Sequence, residues 1–177
     1  MTTLAAVLSE ADLPAPELQA ARLDGELYGL SDAYCQIGEL EGPAHRARAA
    51  RATRSTRLIA ELGTAAWVWG AAPRPARLRF AVTPDARARL SPDQRIVVRE
   101  IVFEPRDLVD LGGATATSPL RTILDLARGD DAPDPGVLTR LLAIAGLTPA
   151  QCLADLEGRA GIPGKRRAQR VLERLTP

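Results

Sequence analysis

Histidine and lysine each occur once in the 177 residues, and the six aromatics make up 3% of the chain. Each shortage removes a class of chemistry. A tetrahedral zinc site would have to gather Cys35, Cys152, His45 and a carboxylate from three distant segments, so no resident metal is expected. A Ser–His–Asp site could draw only on His45, which lies in an Arg/Ala-rich stretch without a nucleophile elbow. No Gly-x-x-x-x-Gly-Lys loop or Gly-x-Gly-x-x-Gly turn occurs, so these phosphate cradles are missing. Lys165 has no acid two positions before it, which removes a nuclease motif ending Glu-x-Lys. The aromatics are too few to stack the bases of a single strand. Cys35 and Cys152 are far apart and read as inert core thiols. No run of 18 apolar residues exists to span a membrane. Met1–Leu8 lacks the basic region and long apolar stretch of a secretory signal, so the expected location is the cytoplasm. By elimination the chain is expected to be a binding protein, with no catalytic residue and no cofactor.

What is present is an ordinary globular composition, 46% hydrophobic and 25% charged. A chain of this length can bury about 70% of its unfolded surface and needs no disulfide to fold. The net charge of +1 hides an asymmetry. Residues 1–41 carry eight acids and one base, Arg22, whereas residues 42–177 carry 22 bases and 14 acids. This split predicts a module boundary near Glu41-Gly42-Pro43. It also predicts that the two parts attract each other or take different partners. Of the 23 bases 22 are arginine, which fits either a GC-rich gene or selection for bidentate contacts to phosphate and carboxylate.

Hydrophobic period and punctuation predict the elements. Leu4–Leu8 reads as a short apolar helix, and Ser9-Glu-Ala-Asp12 as a capped turn. A helix is expected from Pro16 to Asp24, stopped by Gly25. Extended pieces follow at Leu27–Leu30 and Ala33–Ile37, joined by Ser31-Asp32. Three short helices and a hairpin outline a small winged helix-turn-helix. Beyond residue 42, an Ala/Arg helix is expected over 43–57 and a short helix over Leu62–Trp69. Strands are expected at Ala76–Val82 and Arg95–Phe103, and a hairpin at Asp107–Thr117 turning on Gly112-Gly113. Ser118 is placed to cap a helix that begins at Pro119, with Arg121 and Asp125 one turn apart on it. Three helices, near 136–145, 149–159 and 163–175, complete an α+β fold. Trp67 and Trp69 point about 200° apart on a helix, so one is expected in the core and one partly exposed or at an interface.

Two arginine groups are the candidate nucleic-acid contacts. On the last helix, Arg166, Arg167, Arg170 and Arg174 fall within an arc of about 100°, beside an apolar face formed by Ala168, Val171, Leu172 and Leu175. That arc is either a solvated face or a surface for phosphate or an acidic partner. The second group, Arg46, Arg48, Arg51, Arg54 and Arg57, spreads over about 200° with no acid among its members. It could be a solvated linker helix, a contact for the acidic residues 1–41, or a nucleic-acid surface.

Several segments resemble one known family. Val7–Leu13, Glu17-Leu18 and Asp24-Gly25-Glu26-Leu27 to Ala33-Tyr34 look like its N-terminal winged helix. Thr64-Ala-Ala-Trp67-Val-Trp69-Gly70, Val109-Asp-Leu-Gly-Gly113 and Thr117-Ser-Pro-Leu-Arg121-Thr-Ile-Leu-Asp125-Leu-Ala127 look like its second domain. The family is the AbiEi-type antitoxins of type IV toxin–antitoxin systems. The resemblance implies a winged-helix module over 1–41 and an AbiEi-like α+β domain over 42–177. It also implies a non-enzymatic regulator that binds double-stranded operator DNA and restrains a nucleotidyltransferase-like toxin. The matching helix and wing depart from the basic pattern of such modules: they carry Glu17, Asp24, Glu26 and Asp32 against Arg22 alone. A module of net charge −7 repels a duplex, which shifts the expected contact to Arg46, Arg48, Arg51, Arg54 and the C-terminal helix. The alternative is a protein-interaction module whose winged helix no longer touches DNA.

Overall fold

Five apolar residues make little more than one helical turn, too little to hold a helix alone. The start of the chain accordingly joins a sheet instead. The computed structural model describes residues 5–86, 96–129, 133–159 and 161–175. Within them Val7–Leu8 is a strand, β1, where a helix was expected over 4–8. The turn at Ser9 is closed by Asp12, whose carboxylate accepts from the Ser9 backbone N–H (2.8 Å) and hydroxyl (2.9 Å). Helix α1 (Ala15–Leu23) follows, with Leu18 fully buried beneath it. Gly25, at φ +76°, turns the chain into β2 (Leu27–Leu30) and β3 (Ala33–Gln36). These form an antiparallel sheet in the order β1-β3-β2. The expected trio of helices is thus one helix, one turn and an extra strand.

Helix α2 (Pro43–Arg51) is shorter than the expected 43–57. It ends because Ala52 adopts φ +38° and the following Thr53 and Ser55 favour non-helical backbone. The second sheet has five strands in the order β6-β5-β4-β8-β7. They are β4 (Ile59–Ala60), β5 (Leu78–Val82), β6 (Ile96–Glu100), β7 (Leu108–Asp110) and β8 (Thr115–Thr117). Pairs β4–β8 and β5–β6 are parallel, while β4–β5 and β7–β8 are antiparallel. Helix α3 (Leu62–Val68) connects β4 to β5. Trp67 lies in the core, and the half-buried Trp69 donates its indole N–H to the Thr117 carbonyl (2.8 Å).

Helices α4 (Pro119–Arg128), α5 (Pro135–Ala145), α6 (Pro149–Gly158) and α7 (Lys165–Glu173) complete the α+β fold. The Ser118 hydroxyl accepts the Arg121 backbone N–H at the start of α4, as the sequence predicts. Leu124, Leu138, Leu141, Leu156 and Leu172 build a core shared by these helices. A separate core crosses the expected boundary at residue 42: Val7, Leu30, Ala33 and Cys35 pack with Ala47, Ala49 and Ala50 of α2. Small alanines let the two sheets and α3 close on α2 from several sides, which explains why its alanines form no single apolar stripe.

Candidate nucleic-acid interface

An alanine helix enclosed this way leaves its arginines to run outward along neighbouring backbone. Arg46 donates from Nε to the Val68 carbonyl (3.0 Å), with its guanidinium lying against Gly70, and also pairs with Glu41 (3.1 Å). Arg48 donates to the Gly112 carbonyl (3.0 Å). A Cβ at Gly112 would sit 2.6 Å from an Arg48 nitrogen, so the glycine makes room for the arginine. Arg54 donates to the Ala50 carbonyl (3.0 Å) at the end of α2 and pairs with Asp32 (2.6 Å). His45 accepts the Gly42 backbone N–H on Nδ1 (3.3 Å), with Nε2 3.4 Å from Glu39. Three of these residues thus meet acids of residues 1–41. Of the candidate contacts Arg46, Arg48, Arg51 and Arg54, only the side chain of the partly exposed Arg51 makes no ion pair or hydrogen bond among the described residues.

One of these acids, Asp32, fixes the hairpin tip. Asp32 also approaches Arg74 (3.6 Å), and the Ser31 hydroxyl accepts from Arg74 Nε (2.9 Å). The tip that would serve as a wing is therefore docked on the rest of the chain. The outer face of α1 presents Glu17, Gln19, Ala20, Arg22 and Leu23 to solvent.

Helix α7 is amphipathic as the sequence predicts, with Ala168 and Leu172 fully buried. Its bases divide into two kinds. Lys165 donates to the Glu157 and Arg159 carbonyls, both at 2.9 Å, and so closes the end of α6. Arg167 donates to the Gly129 carbonyl (2.6 Å) at the end of α4. Both satisfy carbonyls that a helix C-terminus leaves open and add positive charge there. Arg166, Arg170 and Arg174 instead project into solvent, and none has an ion-pair partner among the described residues. Spaced four residues apart, they form one stripe about 12 Å long on the outer side of α7.

A buried charge network, invisible as such in the sequence, joins the sheet to the helices. Asp107, in the 3-10 turn Pro105–Asp107, receives Arg121 from α4 and Arg159 (2.7 Å) from the end of α6. Arg121 also reaches Asp125 (2.9 Å), which takes Arg128 (2.6 Å), and Arg159 also reaches Asp155 (2.6 Å). The guanidinium carbon of Arg121 lies 4.9 Å from the Phe103 ring centroid. Burial alone would raise the Asp107 carboxyl, but the Arg159 hydrogen bond, the Glu104 N–H and the nearby cations hold it below the usual range. The expected Arg121–Asp125 pair is thus one link of a larger cluster. A second buried acid, Glu61, stands between β4 and α3 and is held bidentately by Arg99 of β6, both bonds at 2.7 Å. Burial pushes its carboxyl up despite Arg99. Leu62 beside it adopts φ +50°, which starts α3 abruptly. Both thiols are fully buried and shifted upward by desolvation, Cys152 to about 11. Among the described residues, no three His, Cys, Asp or Glu side chains form a metal-binding group, and no single helix is long and apolar enough to cross a membrane.

No family model matches the chain, and no curated protein matches it. A solved structure, that of the RV2827C protein from Mycobacterium tuberculosis, aligns over 96% of this chain and 72% of its own. The TM-score is 0.49 and the identity 20%.

Proposed function

We propose that the protein is a non-enzymatic, antitoxin-like regulator that contacts double-stranded DNA through the outer face of α7. The observation carrying this reading is the stripe of Arg166, Arg170 and Arg174, exposed and without acidic partners among the described residues. Guanidinium groups in a row at helical spacing suit a phosphate backbone, where each neutralised phosphate releases counterions. Arg51 is the remaining candidate from α2, while Arg46, Arg48, Arg54 and Arg167 act as clamps within the fold. Restraint of a nucleotidyltransferase-like toxin rests on the resemblance of Thr117–Ala127 to AbiEi antitoxins.

The test is a salt titration of binding to duplex DNA from upstream of the protein's own gene. The R166A/R170A/R174A variant should bind more weakly at every sequence, and its salt slope should fall by about one per lost phosphate contact. Unchanged affinity and slope would remove α7 from the interface. A protein-interaction module is the second reading. The docked hairpin tip favours it, as do the exposed carboxylates of Glu17, Asp24 and Glu26, unpaired among the described residues, and it requires no salt-sensitive DNA binding at all.

A further inference from the structure

The ion pairs within the fold consume only part of the charge asymmetry. Asp32, Glu39 and Glu41 are paired, and Asp12 closes its own turn. Glu17, Asp24 and Glu26 face solvent with no ion-pair partner among the described residues. Asp24 and Glu26 stand where α1 ends and β2 begins, and Glu17 is on the outer face of α1.

The same end of the first sheet exposes large apolar side chains. Leu23 is 86% exposed, Ile37 59% and Leu40 91%. The Ile37 backbone N–H donates to the Glu26 carbonyl (2.9 Å), so an apolar and an acidic residue stand opposite each other at the open end of the hairpin. Leu40 is not on a loose tail. Glu39 beside it reaches His45 (3.4 Å) and Glu41 reaches Arg46 (3.1 Å), which pins both shoulders of the segment to α2. An apolar side chain held outward on a fastened segment loses little freedom when it is covered.

We propose that this surface binds a second copy of the chain, head to tail. The open end of the first sheet, with Leu23, Ile37 and Leu40 beside Asp24 and Glu26 and with Glu17 two turns back along α1, would seat on the α7 stripe of Arg166, Arg170 and Arg174. Charge selects this arrangement. Two acidic ends facing each other across a twofold axis would repel, whereas the acidic end and the arginine stripe complement each other. Arginine stems also cover leucine and isoleucine while their guanidinium groups meet carboxylates. A heterologous contact of this kind leaves a free face at each end and continues into chains or closes into a ring. It shares α7 with the proposed duplex contact but does not depend on it.

Sedimentation velocity of the full chain, without DNA, tests the idea across protein concentration at low and high salt. Larger species should form at low salt and dissolve at high salt, as screening requires. They should vanish in L23S/I37S/L40S, with circular dichroism confirming the fold. Two charge-reversed variants, E17R/D24R/E26R and R166E/R170E/R174E, should each be monomeric alone and associate when mixed. A wild-type chain that is monomeric at all concentrations would overturn the proposal. So would association that survives the leucine and isoleucine changes, or a mixture that stays monomeric.

Discussion

Single side chains in this protein differ in importance according to how far they are removed from water. Arg159 is 4% exposed and bridges Asp107 and Asp155. Arg159→Ala should cost about 3–5 kcal/mol, because it strands buried carboxylate charge. Arg159→Lys should recover little, since one ammonium cannot reproduce the forked contact. Arg106 pairs with Glu104 and Asp155 from a 56% exposed position, and Arg106→Ala should cost under about 1 kcal/mol by chemical denaturation. The lowered Asp107 carboxyl also gives acid stability a definite sign. Its folded value lies below the unfolded one, so its contribution is full above about pH 4 and is lost as pH falls further through the folded value. Glu61 runs oppositely: its raised value favours the fold less as pH climbs past the ordinary glutamate range. Melting temperatures measured at acid pH should therefore show a flatter acid limb in Asp107→Asn than in the parent.

At the scale of elements, the joint before α7 is the most constrained. Gly164 adopts φ +78°, and a Cβ there would lie 2.6 Å from the Arg128 carbonyl oxygen. Gly161 has a similar φ, +63°, with open space around it. Gly161→Ala should cost about 1 kcal/mol from backbone preference alone. Gly164→Ala should cost distinctly more, since α4 or α7 has to shift; thermal melts of the two variants give the difference. The elements were legible where local chemistry decides them. Ser118-Pro119 announces a helix start, and Gly112-Gly113 announces the hairpin. Strands β1 and β4 were not, because two residues carry no period and owe their form to neighbours distant in sequence. The amphipathic stripe of α7 was legible, but the sorting of Arg167 from Arg166, Arg170 and Arg174 was not. It depends on the ends of α4 and α6 lying beside Arg167 and Lys165. The Asp107–Arg159 link joins residues 52 apart and has no sequence signal.

For the whole molecule, part of the charge split is spent on attraction within the chain, through Asp32, Glu39 and Glu41. Asp32 restrains both Arg54 and Arg74 at the tip of the β2–β3 turn. Asp32→Ala should loosen that tip, raising amide exchange over residues 27–36, and should strengthen salt-sensitive binding to any polyanion by uncovering two guanidinium groups. Heparin retention at graded salt, with hydrogen exchange alongside, measures both effects.

The alanines of α2 also bear on how such a chain can diverge. Ala47, Ala49 and Ala50 are at most 2% exposed, with Val7, Leu30, Ala33 and Cys35 among the residues of their shared core. A recombination event that replaced the first forty residues with those of a relative would bring new shapes against an unyielding surface. The front end is therefore inherited with its helix, and exchange of modules at that seam should be rare unless both sides of the junction travel together.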